Sequence, residues 1–254
     1  MPHSDNISPA IPARVLIIGT SSGIGHAVAQ IYIGQGAIVG LAARRTDILR
    51  EIQAGHANVY IESVDIREKH ATEHLDNLVA AMGGLDLLLI ASGIGQMNPT
   101  LEAETELATT MTNVLGWTAI ADWGFNLFAR QGHGHLAAIT SIASLRGLGP
   151  APAYAASKAY QAHYLEALRQ RALGLGLPIC VTNLRPGFVH TPLLAHPEKF
   201  FWVMGVESTA RAIVHTLRKR RAVATVTSRW RLMVPLMRIA PTRLIAYILY
   251  KKTH

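Results

Sequence analysis

Short apolar runs alternate along this chain with segments of helical periodicity, and this alternation restricts its fold more than any other feature. The runs lie at residues 15–18, 38–42, 59–63, 85–91, 136–140 and 179–183, with a further one at 223–226. Several are continuously apolar, which is typical of strands covered on both faces in a parallel sheet. Helical segments such as 25–32 and 104–128 lie between them. We therefore predict an α/β fold, a doubly wound parallel sheet of about seven strands with helices on both faces (Rossmann-type).

The composition suits one large domain, because half of the 254 residues are apolar and can form a sizeable core. We predict a flexible arm at residues 1–13, the Rossmann-type domain at 14–228 and a helical tail at 229–254. The arm does not have the pattern of a secretory signal, and no apolar run approaches the ~20 residues needed to span a bilayer. The single cysteine, Cys180, excludes an intrachain disulfide and is expected to be a buried structural residue. These features favour a cytoplasmic protein.

A glycine-rich turn follows the first apolar run and opens a helix. Gly19 would let the chain turn sharply, while Gly23 and Gly25 would leave room for a pyrophosphate at the helix N-terminus. Free N–H groups at that terminus favour an anion, and the hydroxyls of Ser21 and Ser22 add donors. The pattern indicates a dinucleotide site, and an ordinary strand–helix turn is the alternative.

The end of the second run indicates which dinucleotide is bound. Sites for NAD usually place an acidic residue here to accept from the ribose 2′-hydroxyl, but this chain has Arg44 and Arg45. A guanidinium suits a 2′-phosphate, so the pair predicts NADP(H). A solvated arginine pair is the alternative, although the helix dipole disfavours it at a helix start. Asp65, after the third run, is either an acceptor for the adenine amino group or an exposed turn residue.

Tyr154 and Lys158 are four residues apart, which places them on one face of a helix. A free phenol has a pKa of about 10, and a nearby ammonium is expected to lower it. Tyr154 could then exchange a proton with a carbonyl oxygen while hydride moves at carbon. Ser141, at the end of the fifth run, would hydrogen-bond the same oxygen. Asn113 lies in a predicted helix, where asparagine is unfavourable, and either holds a water joining Lys158 to solvent or faces solvent itself.

These motifs resemble the short-chain dehydrogenase/reductase family, in its single-domain branch, from about residue 14 to 191. The resemblance implies an NADP(H)-dependent oxidoreductase that transfers hydride reversibly between the nicotinamide and a carbonyl or alcohol, commonly as a homodimer or homotetramer. It implies catalytic roles for Asn113, Ser141, Tyr154 and Lys158. None of the twelve histidines shows metal-ligand spacing with partners, so no metal is expected. The cofactor-binding positions, from the residues and the resemblance together, are Gly19, Ser21, Ser22, Gly23, Ile24, Gly25, Arg44, Arg45, Asp65, Ile66, Ser92, Gly93, Tyr154, Lys158, Pro186, Gly187, Val189 and Thr191.

The segment at residues 186–191 resembles the family's motif after the sixth strand. The resemblance implies that Val189 contacts the nicotinamide amide and that Thr191 holds it or the pyrophosphate. Two positions depart from the family pattern: Ile18 replaces a threonine before the glycine turn, and Ala91 replaces an asparagine after the fourth strand. Neither position belongs to the reacting groups.

The basic charge of the chain is concentrated in its C-terminal part. Residues 218–254 hold ten Lys and Arg and no acid, whereas residues 1–217 hold 14 basic and 16 acidic residues. Apolar residues alternate with the basic ones, and Pro235 and Pro241 are predicted to break the tail into short helices.

Two interpretations of the tail remain open at this point. It either contacts an anionic membrane surface, as in a membrane-associated reductase of a lipid or long-chain ketone, or packs on the fold or a neighbouring subunit as a lid over a hydrophobic substrate. A catalytically silent NADPH-binding sensor or scaffold is the alternative to an enzyme. Nucleic-acid binding is disfavoured because the body of the chain is slightly acidic.

Overall fold

The computed structural model describes residues 13–194 and 197–250. These residues form a sheet of seven parallel strands in the order β3-β2-β1-β4-β5-β6-β7. The strands are β1 Arg14–Ile18, β2 Ile38–Ala43, β3 Val59–Ser63, β4 Leu87–Ile90, β5 Gly134–Ile139, β6 Ile179–Arg185 and β7 Val223–Thr225. The strand order reverses between β1 and β4, and in such sheets ligands bind beyond the carboxyl ends of the strands at that point.

Helices cover both faces of the sheet. The α-helices are α1 Gly23–Gly34, α2 Thr46–Gln53, α3 Ala71–Ala81, α4 Ala103–Thr110, α5 Trp117–Gln131, α6 Pro152–Gly174, α7 Val206–Arg218, α8 Ser228–Ile239 and α9 Thr242–Tyr250. A π-helix, Met111–Gly116, joins α4 to α5, and two 3-10 helices lie at Ile142–Leu145 and Pro197–Lys199.

Two apolar clusters fill the space between sheet and helices. One contains Leu75 of α3, Trp117 of α5 and Leu165 of α6, and the other contains Val28 of α1 and Ile213 of α7. Every residue of β4 and β5 is buried, which explains why these strands read as continuous apolar runs. The predicted fold class is therefore confirmed.

Local structure differs from the predictions at several points. The helix predicted at 104–128 is divided by the π-helix, which contains Asn113. Pro235 does not end a helix, because it lies inside α8, and the break comes only at Pro241. Pro235 is exposed, so water can hydrate the carbonyl that its missing N–H leaves unpaired. Cys180 lies in β6 as expected but is only half-buried.

Several predictions fall partly outside the described residues. Residues 1–12 of the predicted arm and residues 251–254 of the tail lie there. Within the described part of the chain, no helix combines the length and apolar character that crossing a membrane requires.

Candidate active site

The predicted site residues converge at the carboxyl edge of the sheet, around the point where the strand order reverses. Gly19 follows β1, Ser92 follows β4, Ser141 follows β5 and Pro186 follows β6. Because the strands are parallel, their carboxyl ends lie along one edge. Residues distant in sequence are thereby collected in one crevice.

Gly19 and Gly25 of the glycine turn pack too closely on their neighbours to admit side chains. Gly19 has a φ of 94°, and a Cβ there would lie 2.6 Å from the backbone nitrogen of Ser92. A Cβ on Gly25 would overlap the carbonyl of Gly19. A Cβ on Gly23 would lie 3.4 Å from the methyl group of Thr191. The turn and the end of the 186–191 segment therefore meet across the crevice.

The polar groups around this turn fit a pyrophosphate. The hydroxyls of Thr20 and Ser92 are buried and have no hydrogen-bond partner among the described residues. The Ser22 side chain makes no capping bond at the start of α1. The first N–H groups of a helix also have no partner within the helix. Together these are donors that an anion would satisfy.

Arg44 and Arg45 lie exposed at the rim beside the turn. The Nη2 of Arg45 donates to the hydroxyl of Ser21 at 2.9 Å and to its carbonyl at 3.2 Å. Asp65 accepts from the guanidinium of Arg67 at 2.5 Å. This pair, and Arg44 to a smaller extent, hold the pKa of Asp65 below its ordinary value. The carboxylate of Asp65 thus already has a partner in Arg67.

Tyr154, Lys158 and Ser141 come together where α6 faces the end of β5. The Tyr154 phenol shares a side-chain hydrogen bond with Ser141, whose hydroxyl also accepts from the Ala143 N–H at 3.1 Å. The Nζ of Lys158 lies over the Tyr154 ring, 5.9 Å from its centroid. The four-residue spacing therefore brings the side chains of Tyr154 and Lys158 together on one face of α6.

The shifts in the pKa values of Tyr154 and Lys158 differ from one prediction made from the sequence. Burial raises the pKa of Tyr154, and the hydrogen bond with Ser141 only partly opposes this. Burial also lowers the pKa of Lys158 to about 8. The prediction that the ammonium lowers the pKa of Tyr154 is therefore wrong. The ammonium lies over the ring face and donates to Ile139 O at 3.1 Å and Gln161 Oε1 at 3.0 Å.

Asn113 is fully buried, so the alternative interpretation that it faces solvent is wrong. Its Oδ1 accepts from the Ile94 N–H at 2.9 Å, and its Nδ2 donates to the Ile94 carbonyl at 2.7 Å and to Ser157 Oγ at 3.1 Å. Both amide hydrogens are in use, which leaves only an acceptor position for a water. Asn113 ties the loop after β4 to α6.

Two glycines of that loop give the site its shape. A Cβ on Gly93 would lie 3.2 Å from Asn113 Oδ1 and 3.3 Å from Lys158 Nζ. A Cβ on Gly95 would overlap the Tyr154 ring. The sequence analysis missed Gly95, because its role depends on its contact with Tyr154 and leaves no local signal.

The 186–191 segment runs along the opposite side of the crevice. The Ile142 N–H donates to the Pro186 carbonyl at 3.0 Å, which ties the segment to the chain after Ser141. Met204 N donates to Phe188 O, and His190 N donates to Met204 O. In such a bridge the intervening residue, here Val189, directs its own N–H and carbonyl to the other side. These groups can hold a planar amide.

An aromatic cluster that the sequence reading missed lies beside this segment. The rings of Phe188 and Trp230 are 5.4 Å apart, and a Cβ on Gly187 would overlap the Trp230 indole. The other members of the cluster are Phe200, Phe201 and Trp202. A cavity of about 320 Å³ adjoins the cluster, lined in part by Trp202, Met204 and Trp230. The wall of the site is therefore strongly apolar.

The helical tail contacts the chain that follows Ser141. Arg146 donates to the carbonyl of Arg238 at 3.4 Å and to the hydroxyl of Thr242 at 3.3 Å. A Cβ on Gly149 would lie 2.7 Å from the hydroxyl of Tyr250. The described part of the tail thus contacts the fold beside the chain that follows Ser141.

Known proteins resemble this chain over nearly its whole length. A family model described as short chain dehydrogenase matches residues 13–199. An uncharacterised oxidoreductase of Mycobacterium tuberculosis is 30% identical over 242 residues, covering 91% of this chain and 95% of that protein.

Solved structures of low sequence identity share the fold. A short chain dehydrogenase from Burkholderia cenocepacia in complex with NADP matches with a TM-score of 0.78 at 17% identity, over 93% of this chain and 97% of that one. A 3-ketoacyl-(acyl-carrier-protein) reductase from Brucella melitensis complexed with NADH matches with a TM-score of 0.74 at 20% identity, over 84% and 95%.

Proposed function

Because this chain belongs to the short-chain dehydrogenase/reductase family, we propose that it catalyses reversible, NADP(H)-dependent hydride transfer between the nicotinamide and a hydrophobic carbonyl or alcohol. The observation that carries the proposal is the convergence of Tyr154, Ser141 and Lys158 beside the glycine turn. In a cytoplasm rich in NADPH, carbonyl reduction would be the dominant direction.

Residues of the chain supply the proton donor and orient the carbonyl group of the substrate. The bound nicotinamide would supply the hydride for reduction or accept it in oxidation. Ser141 and Tyr154 would donate hydrogen bonds to the carbonyl oxygen, and Tyr154 would pass its proton to that oxygen as negative charge develops. Burial raises the pKa of Tyr154, so the phenol is protonated near neutral pH, as an acid must be. The Lys158 ammonium, which lies over the Tyr154 ring, would hold the ribose hydroxyls and return a proton to the phenolate.

The preference for NADP(H) over NAD(H) is supported by charge at the rim. Arg44 and Arg45 are exposed directly after β2, and Arg45 is anchored to Ser21 of the glycine turn. A phosphate would gain charge-assisted hydrogen bonds from the two guanidinium groups, whereas a hydroxyl would leave them solvated.

Replacing the phenol tests the enzymatic proposal. Tyr154→Phe should bind NADPH within about threefold of the native affinity and lose turnover by about 100-fold or more, because it removes one proton donor. Tyr160→Phe, which removes an exposed phenol from the same helix, is the matched control. Unchanged turnover in Tyr154→Phe would exclude the assignment. Tight NADPH binding by a native protein inactive on a broad carbonyl and alcohol panel would instead support the silent sensor.

A second candidate, a reductase of a lipid or long-chain ketone at a membrane surface, is favoured by one observation. On α8, Leu232 is 77% exposed and Ile239 is 78% exposed, and Leu236 between them is exposed as well. Their spacing puts them on one face of the helix. Arg231 and Arg238 are exposed on the same helix, a combination that suits anionic lipid headgroups.

Self-association is the remaining part of the proposal. Leu107, Met111 and Leu115 recur every four residues on α4 and the π-helix and are all exposed. A contiguous apolar row of this kind is typical of a contact between subunits. We expect a homodimer or homotetramer built on this face.

A further inference from the structure

Gln161 of α6 has no role in the function proposed above, yet it is fully buried and both ends of its side chain are bonded within the site. Its Oε1 accepts from Lys158 Nζ at 3.0 Å, and its Nε2 donates to the backbone carbonyl of Asn113 at 2.9 Å. Buried polar groups require partners, and this amide uses its two ends to join two predicted catalytic residues.

The π-helix makes the Asn113 carbonyl available for this bond. At the C-terminal end of the π-helix, backbone N–H groups bond to the carbonyls of Thr112 and Val114, on either side of Asn113. The carbonyl between them accepts from Gln161 instead. A helix irregularity of this kind commonly marks a functional position.

The hydrogen bond from Lys158 to Gln161 fixes the direction of the ammonium. Lysine has three donors on a flexible stem, and here two of them are held by Ile139 O and Gln161 Oε1. The third is left on the side of the Tyr154 ring and Gly93. An acceptor at residue 161 therefore both orients the ammonium and stabilises its charged form.

We propose that Gln161 is a positioning residue that holds the Lys158 ammonium toward Tyr154 and fastens it to the π-helix that carries Asn113. Its effect on turnover rests on the proposed function, whereas its effect on Lys158 does not. Glu106 of α4, a helix that packs on α6, accepts from Asn98 and from the Ala153 N–H. Burial is the main cause that lowers the pKa of Arg185 of β6, and Arg238 lowers it further.

The test combines a direct titration of Lys158 with kinetics. Gln161→Met preserves the volume but removes both hydrogen bonds. Nuclear magnetic resonance of protein labelled at the lysine ε-carbon, with Lys158 assigned through Lys158→Arg, follows the ammonium without any substrate. We expect the pKa of Lys158 to fall by about one unit in Gln161→Met and turnover to fall about tenfold. Gln161→Glu, which offers a charged acceptor, should shift the pKa of Lys158 upward.

Tyr164→Phe is the matched control, because Tyr164 lies one turn further along α6 and its hydroxyl donates to Asp122 of α5 at 2.6 Å. Tyr164→Phe removes one hydrogen bond between α6 and α5 outside the site. It should leave the Lys158 titration and turnover unchanged. An unaltered Lys158 titration in Gln161→Met would overturn the proposal, even if that variant were less stable. Failure of the native protein to turn over any substrate would refute the proposed function alone, because the titration would still decide the role of Gln161.

Discussion

At the scale of single residues, the two arginines after β2 have unequal surroundings. Arg45 is held by Ser21, whereas Arg44 contributes to the electrostatic environment of Asp65. Arg44→Ala should reduce kcat/KM for NADPH by about 10- to 100-fold and leave that for NADH within about threefold, because it removes a charged hydrogen bond to the 2′-phosphate alone. Steady-state kinetics with both cofactors measures this. Arg50→Ala, on the exposed side of α2, is the control, and equal losses for NADPH and NADH would contradict the phosphate contact.

The lowered pKa of Lys158 leads to a prediction about stability. Burial lowers its pKa from 10.5 to about 8, so between these values the unfolded chain binds more protons than the folded one. Stability therefore rises with pH across this range. Relative to Lys158→Met, the free energy of unfolding of the native protein should increase by about 3 kcal/mol from pH 8 to pH 10.5. Urea unfolding of both proteins across the range tests this, and curves that stay parallel would show that Lys158 keeps an ordinary pKa.

The role of a single residue could be predicted from the sequence where it depends on its immediate neighbours in the chain. The glycine turn and the Tyr154–Lys158 pair follow from backbone conformation and helix period, and the structure places them together. The roles of Gly95 and Gln161 depend on contacts with residues 59 and 48 positions away, Tyr154 and Asn113. No local pattern encodes such contacts.

At the scale of elements, the sheet was predictable because parallel strands buried on both faces have a simple apolar signature. The division of the 104–128 helix was not, because a π-helix has no strong sequence signature of its own. The unfavourable Asn113 was the one local sign of it. Pro235 was misread because proline does not end a helix whose freed carbonyl can be hydrated.

The apolar row on α4 and the π-helix supports a prediction about assembly. Leu107 and Leu115 are each 63% exposed, so a subunit contact there would bury both. Leu115→Arg should shift the native oligomer toward the monomer in sedimentation equilibrium, because an unpaired charge is costly in an apolar contact. Leu173→Arg, at a still more exposed leucine on α6, should leave the assembly unchanged. A native protein that is monomeric at every concentration would refute the proposal.

At the scale of the whole molecule, charge and exposed apolar surface are concentrated in the same region. Arg229, Arg231, Arg238 and Arg243 lie on α8 and α9. Trp230 and Arg146 fasten these helices to the wall of the site. The lid and membrane interpretations of the tail are therefore compatible. One face of α8 packs beside the crevice and the other presents leucine and isoleucine outward.

This arrangement predicts binding to anionic vesicles. The native protein should float with vesicles that contain phosphatidylserine and much less with neutral ones, because each basic residue near an anionic surface contributes about 1 kcal/mol. Leu232→Asp combined with Ile239→Asp should lower the bound fraction at least tenfold, since burial of each side chain is worth about 1.5–3 kcal/mol. Leu175→Asp, an exposed leucine at the end of α6, is the control.

Reduction of a water-soluble ketone should be unaffected by all three substitutions, because they lie on the outer surface and leave Tyr154 in place. Negligible flotation of the native protein, or equal flotation of the native and doubly substituted proteins, would leave α8 and α9 as a lid over the substrate alone.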